Sequence, residues 1–426
     1  MLSIQNNLKV SEKAENLIGS EIIKLAGEIN EKIKQGQKIY NLTIGDFNAK
    51  LYPIPKELKN LISEAYQNDE TNYPPADGML ALREQISMFL NHYGELSYSP
   101  SEILIAGGAR PLIYATFLTL VNEGEKVIFP VPSWNNNHYC HLHKAQQVVI
   151  EAKPENNFMP TAADIKPYIK DAAMIALCSP LNPTGTVFNK ETLTEICDII
   201  LEENKRRKPN EKPLYLMYDQ IYWMLTYGNT VHYNPVILRP EMKDFTIFID
   251  GLSKAFAATG VRVGWTFGPK KVIDKMKSVL GHIGAWAPKA EQVAVSKYLQ
   301  NTEQIDQYIS NLKLKLLSSL EGLYQGFVAL EKDGFPIKAI HPQAAMYLTV
   351  QINLIGFQLP NGEIIKNTSQ ITAFLLNEAG FAVVPFSAFG AELDSTWYRI
   401  SVGNCSSNEI PSILSAFKNA LLKLTH

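Results

Sequence analysis

Only four of the 426 residues are cysteine, Cys140, Cys178, Cys197 and Cys405, and they show no paired spacing. A chain of this length with so few thiols is not held by a disulfide framework, which suits a reducing compartment. No stretch approaches the ~20 consecutive apolar residues that cross a bilayer as a helix. The amino terminus lacks the basic and then apolar regions of a secretory leader; it is polar, with a helical stripe at Ile22, Ile23, Leu25, Ala26 and Ile29. A soluble, cytosolic protein is expected. Charge of one sign is missing as well. With 40 Lys and Arg against 42 Asp and Glu, the net charge is -2 (40 − 42), so neither nucleic acid nor a membrane surface is an expected partner. The basic run Lys205-Arg206-Arg207-Lys208 lies between acidic residues and prolines and is expected to be a solvated loop. His138, His141 and His143 have no paired ligand spacing elsewhere, so they are expected at a helix surface or in packing, and no metal site is predicted.

With 46% hydrophobic and 19% charged residues, the chain is long enough for two packed cores. Short apolar runs alternate with helical patterns through its middle. The runs are 103–106, 126–129, 148–150, 174–177, 214–218, 246–249 and 263–267. Segments apolar on both faces suit the interior of a mostly parallel sheet sandwiched by helices. After about residue 300 a long helical stretch through Leu312, Leu316, Leu320 and Leu323 leads to strand-like pieces at 346–350 and 398–402. Ser406 and Glu409 form a capping box before a last helix. The expected architecture is α/β, with a large unit at 49–324 and a smaller α+β unit made of 1–48 and 325–426.

In such a sheet, ligands gather beyond the carboxyl ends of the strands. Asp219 closes one apolar run, and Tyr222 follows three residues later. Lys254 comes just after another, flanked by Gly251, Leu252 and the run Ala255-Phe256-Ala257-Ala258. An amine in apolar surroundings loses proton affinity and becomes a usable nucleophile. Asn182-Pro183-Thr184-Gly185 follows a third run and offers an amide to a ligand oxygen. Gly107-Gly108-Ala109-Arg110 opens a helical pattern, where free backbone N–H groups suit a phosphate. Arg262 adds a fixed charge eight residues past Lys254, and Arg399 offers a planar fork for a carboxylate.

Taken in order, these segments resemble the class I/II pyridoxal-phosphate aminotransferases of the aspartate aminotransferase fold type. The resemblance rests on Gly45, on Tyr73-Pro74-Pro75-Ala76-Asp77-Gly78 and on Pro132-Ser133-Trp134. It continues through Asn182 to Gly185, Asp219-Gln220-Ile221-Tyr222, Ser253-Lys254-Ala255-Phe256, Thr259 to Gly264, and Tyr398-Arg399-Ile400. It implies pyridoxal 5'-phosphate as cofactor, with Lys254 forming the internal aldimine and then moving a proton at the substrate Cα. It implies Asp219 on the pyridine nitrogen, Tyr222 and Asn182 on the phenolic oxygen, and Trp134 against the ring. The phosphate falls to Arg262, Ser253 and the segment Gly108-Ala109-Arg110. Tyr73 would reach the neighbouring subunit's phosphate, which makes the enzyme a homodimer with sites at the interface. Arg399, with Gly45, Asn182 and Trp134 near it, would bind the substrate carboxylate.

The implied activity is amino-group transfer from an amino acid to a 2-oxo acid. A β-lyase or synthase on the same scaffold is the alternative reaction. A non-catalytic sensor that binds pyridoxal phosphate is the alternative of another class. Two segments depart from the family pattern: Gly251 stands where many relatives have serine, and Gly45-Asp46-Phe47-Asn48 follows the usual motif loosely. His282, Trp286 and Lys289 are candidates for the substrate side-chain pocket.

Overall fold

The computed structural model describes residues 9–17 and 21–425, with side chains omitted for 21–24. The Ile22 and Ile23 side chains expected in the amino-terminal stripe therefore lie outside the described residues. Further along helix Glu21–Lys34, Ile29 is buried against Leu376 and Ala382.

A short strand β1 (Tyr40–Asn41) precedes the large sheet, made of β2 (Ile103–Ala106), β3 (Lys126–Val131), β4 (Gln146–Glu151), β5 (Ala172–Cys178), β6 (Tyr215–Asp219), β7 (Thr246–Gly251) and β8 (Gly264–Phe267). Their order is β2-β8-β7-β6-β5-β3-β4. Every pairing is parallel except those of β8, which runs against both β7 and β2. The apolar runs sort by alternation, as a pleated strand requires. Ile128, Ile175, Leu177, Leu216, Tyr218 and Phe248 enter one core. Val127, Phe129, Met174, Ala176, Met217, Ile247 and Ile249 enter the core on the opposite face. Because both faces are covered, the runs are almost wholly apolar; Thr266, buried inside 263–267, donates its hydroxyl to the Phe248 carbonyl.

Helix Thr302–Lys332 has 31 residues, a length of about 46 Å at 1.5 Å per residue. Ile305 and Ile309 in its first turns join a core of the large sheet. From Leu312 to Leu330 its buried face belongs to a separate core. That second core is built on β9 (Ile337–Ala339), β10 (Tyr347–Ile352), β11 (Phe381–Ala382), β12 (Val384–Pro385) and β13 (Trp397–Ser401). Four of these form an antiparallel sheet in the order β12-β13-β10-β9, while β1 pairs with β11 in parallel.

The register of β10 on β13 explains how this small sheet meets the large one. Tyr347 lies opposite Ser401 and Thr349 opposite Arg399, so these four share a face. Leu348, Val350, Tyr398 and Ile400 fill the apolar core. The polar face docks by hydrogen bonds: Thr349 Oγ1 donates to the Thr184 carbonyl at 2.9 Å and Ser401 Oγ to that of Ile44 at 2.6 Å.

The basic run is only in part the expected solvated loop: Lys205, Arg206 and Lys208 are exposed, but the run begins within a helix and Arg207 turns inward. Helix Lys190–Arg206 extends through Arg206, and both Arg206 and Arg207 bind the buried Glu203 carboxylate. Arg207 also donates to the Ala172 and Lys212 carbonyls. Its side chain is only 9% exposed, because each carbonyl and carboxylate around it removes the need for water. His138 and His141 do lie on a helix, Asn136–His143. His143 there packs on Phe117 and Tyr114, and His141 bonds the Lys13 carbonyl. Among the described residues no helix is long and apolar enough to cross a membrane, and no group of His, Cys, Asp and Glu is placed to hold a metal ion.

Candidate active site

The strand register brings separate segments to one edge. Cys178 pairs with Asp219, Asp219 with Ile249, and Gly251 with Gly264, which also pairs with Ala106. Since β8 runs backwards, its start carries Arg262 to the edge where its neighbours end. Three glycines let these pieces close up. A Cβ on Gly251 would lie 2.8 Å from the Gly264 Cα and 3.0 Å from the Val263 carbonyl oxygen. One on Gly264 would lie 2.5 Å from the Gly108 carbonyl carbon and 2.8 Å from the Ala109 nitrogen. Gly108, at φ 99°, has the Arg262 guanidinium where its own Cβ would be. The hydroxyl missing at position 251 is thus not an empty place. Gly251→Ser is expected to push the Lys254 turn off β8 and cost about 1–3 kcal/mol, read as a lower thermal midpoint. A variant that melts like the parent and holds phosphate more tightly would overturn this account.

Between the sheet edge and the polar face of the small sheet lies a cavity of ≈ 580 Å³. Lys254, on the short helix Leu252–Ala255 that follows β7, donates from Nζ to the Gly45 carbonyl at 2.7 Å. Burial pulls its pKa down to about 8; Arg399, Arg110 and Arg262 act in the same direction and Asp46 opposes them. A large fraction of this amine is therefore unprotonated in mildly basic solution. Asp219 Oδ1 accepts the Ile221 N–H at 3.0 Å. Burial pushes its carboxyl up to about 6, against that hydrogen bond and the Lys254 charge. It is ionised at neutral pH but poorly solvated, a state that favours a cationic N–H partner.

Arg399 is 1% exposed. It donates to Asn182 Oδ1 at 3.0 Å and to the Thr43 carbonyl at 2.6 Å, while its buried Nε has no protein partner. Its guanidinium lies between the rings of Tyr347 and Phe389, 4.8 Å from each centroid. That sandwich holds the plane and leaves donors for a bidentate anion. Arg262 spans the Thr259 and Gly107 carbonyls, each at 2.7 Å. It stands over the start of helix Ala109–Leu120, where the first N–H groups have no helical partner. A lysine amine, a buried carboxylate, a helix start under an arginine and a second fixed arginine fit a phosphorylated pyridine aldehyde and a carboxylate substrate.

Of the residues singled out in the sequence, Gly45, Ala109, Arg110, Trp134, Asn182, Asp219, Tyr222, Ser253, Lys254, Arg262 and Arg399 all line this cavity. Gly108 lies just behind them, under Arg262. Arg110 rests on the Trp134 ring, 5.4 Å from its centroid. Tyr73 is elsewhere, 81% exposed, with its ring against Trp286. Neither Trp286 nor Lys289 faces the cavity: both line a different groove, and Lys289 is paired with Glu70. His282 belongs to helix Lys270–Ile283 and does not line the cavity either. Sequence reasoning missed Tyr347, Asp46, Cys178 and Thr259 as cavity residues. The alternation of Tyr347 and Thr349 with Leu348 and Val350 was a usable signal for the first. Asp46 and Thr259 stood inside segments already singled out, and Cys178 directly follows an apolar run, so their places were visible though no role was drawn from them.

The family model for aminotransferase class I and II matches residues 37–417. An aspartate aminotransferase of Bacillus sp. (strain YM-2) is 29% identical over 386 residues, covering 90% of this chain and 92% of that one. A bifunctional aspartate aminotransferase and glutamate/aspartate-prephenate aminotransferase of Petunia hybrida is 27% identical over 430 residues, 100% of this chain and 85% of that one. Among solved structures, the aspartate aminotransferase from Thermus thermophilus with maleate superposes with a TM-score of 0.85 at 25% identity. It covers 97% of this chain and 100% of that one.

Proposed function

The chain belongs to the class I and II aminotransferases, pyridoxal-phosphate enzymes that move an amino group from an amino acid to a 2-oxo acid, and from that premise we propose residue roles and a substrate class. The enclosed amine of Lys254, with its lowered proton affinity, carries the proposal. Lys254 would hold the cofactor and, with its amine free, would carry the proton to and from the substrate Cα. Asp219 would hold the pyridine N–H, Tyr222 and the Asn182 amide would bond the phenolic oxygen, and Trp134 would lie against the ring. Arg262, Ser253, Gly108 and the N–H groups of Ala109 and Arg110 hold the phosphate. Arg399, with Gly45 beside it, receives the substrate α-carboxylate. The cofactor supplies the electron sink that lets the Cα proton leave.

Acidic amino acids are the proposed donors. The relatives' names point that way, and the exposed Arg110 guanidinium on Trp134 leaves one cation in the cavity for a second carboxylate. The division into units 49–324 and 1–48 with 325–426 is part of the same reading. Two apolar cores that share one long helix support a division into two units, with the change of core falling between Ile309 and Leu312 of that helix, ahead of the proposed bound at 324. So are a cytosolic location and a homodimer, in which the exposed Tyr73 reaches the phosphate of the neighbouring site.

With aspartate and 2-oxoglutarate, the purified protein should form glutamate faster than with aliphatic donors. Release of pyruvate and ammonia from a thioether amino acid, with no glutamate formed, would instead mean a lyase.

A further inference from the structure

Tyr222 and Tyr347 are both buried, and their hydroxyl oxygens lie 2.6 Å apart. The rings meet edge to face, with centroids 5.5 Å apart. Two phenols carry two protons, and a contact of this length uses only one. The direction of that bond decides what Tyr222 offers the cavity. If Tyr222 is the donor, its proton is spent on Tyr347. If Tyr347 is the donor, the Tyr222 proton is free to point toward a ligand.

Two observations favour Tyr347 as the donor. Burial pushes both phenols up and Arg399 opposes it at both; for Tyr347, Arg399 is the first influence opposing burial. The guanidinium stands 4.8 Å over the Tyr347 ring, and a cation so placed favours the phenolate of that ring and with it donation from its hydroxyl. The surroundings of the Tyr347 oxygen agree. A Cβ built on Gly45 would lie 3.0 Å from it and 3.6 Å from an Arg399 nitrogen, so that side of the oxygen is closed by a methylene group with a hydrogen-bond donor behind it. We propose that Tyr347 is a positioning residue: its hydroxyl donates to Tyr222 and thereby turns the Tyr222 proton into the cavity, toward the oxygen of the bound cofactor. The inference rests on the reading that Tyr222 faces that oxygen. Being the acceptor of one bond also strengthens Tyr222 as the donor of the next.

The visible absorbance of the loaded protein, titrated with pH, reports the proton at the link between Lys254 and the cofactor. A donor on the neighbouring phenolic oxygen stabilises its negative charge and lowers the proton affinity of that link. Tyr222→Phe should therefore move the titration midpoint upward. Tyr347→Phe, which keeps the ring against Arg399, should move it in the same direction by less, about half a unit for a weakened hydrogen bond. Because Tyr347 acts through Tyr222, the double variant should match Tyr222→Phe alone. Both substitutions leave Asp46, Asp219, Arg110, Arg262 and Arg399 in place, so other charges facing the link are constant. If Tyr222→Phe shifts the midpoint and Tyr347→Phe does not, or if the two shifts add, the role of Tyr347 is refuted while that of Tyr222 stands. If neither variant shifts it, the Tyr222 assignment falls and the inference falls with it.

Discussion

Lys254→Ala is expected to give a folded, colourless protein whose amino-group transfer falls by at least about 10³-fold, the usual worth of a lost positioned acid–base. The parent loaded with pyridoxal phosphate should be yellow and should bleach with borohydride. A variant that still transaminates near the parent rate would remove Lys254 from the reaction. The amine's environment adds a pH signature. An ordinary lysine holds its proton up to about 10.5, but burial lowers Lys254 to about 8. A lowered pKa means the charged form is the disfavoured one, so more neutral amine is present at any pH below 10. At pH 7 the neutral fraction is about a tenth, roughly 300-fold above that of an unperturbed lysine. The rate at which cofactor-free protein captures pyridoxal phosphate should rise about tenfold per pH unit and level off above 8. A midpoint near 10 would show that the amine is solvated and that the closed cavity is not its resting environment.

The large sheet was legible because both of its faces are covered. With no solvent side to mark by polar residues, its strands read as plain apolar runs, and the chemistry had to fall at their ends. Asp219, Lys254 and Asn182 stand out there by their places after the runs, and Lys254 also by its apolar flanks. The small sheet hid its contribution for the opposite reason. Tyr347, Thr349, Arg399 and Ser401 form a polar face that is also buried, since it docks on Thr184, Ile44, Thr43 and Tyr222. Within each strand these residues alternate with core residues and look like an ordinary solvent side. Arg399 stood out as a planar fork on a strand-like run, suited to a carboxylate. Arg207 shows the same limit: a charge run says nothing of which carbonyls lie within reach, and burial of that side chain depends on Ala172 from a different strand. Gly251 was visible as a missing hydroxyl, whereas the backbone of Gly264 that fills its place is a matter of sheet register.

Arg399→Leu should separate binding from folding. The guanidinium is held between two rings and by Asn182 and Thr43, so its remaining donors are oriented before any substrate arrives. Losing one side of a charge-assisted pair costs about 3–4 kcal/mol, which is a fall of roughly 10²–10³ in kcat/KM. Most of it should appear in KM, because the carboxylate is bound equally before and during the reaction. Arg399→Lys should recover little: a point charge cannot fork between Asn182 and Thr43 and still present two donors. Stability should move far less. Burial already weighs against this cation, and its Nε lacks a protein partner, so leucine spares a desolvation cost while leaving the Thr43 carbonyl without its donor. The two changes oppose each other, and the thermal midpoint should stay within a few degrees. Arg399 also helps to lower the proton affinity of Lys254. Its removal should therefore raise the midpoint for cofactor capture above 8, in a protein that has not yet met substrate. An unchanged KM with a normal capture profile would place the substrate carboxylate on Arg110 or Arg262 and leave Arg399 a structural role between the two sheets.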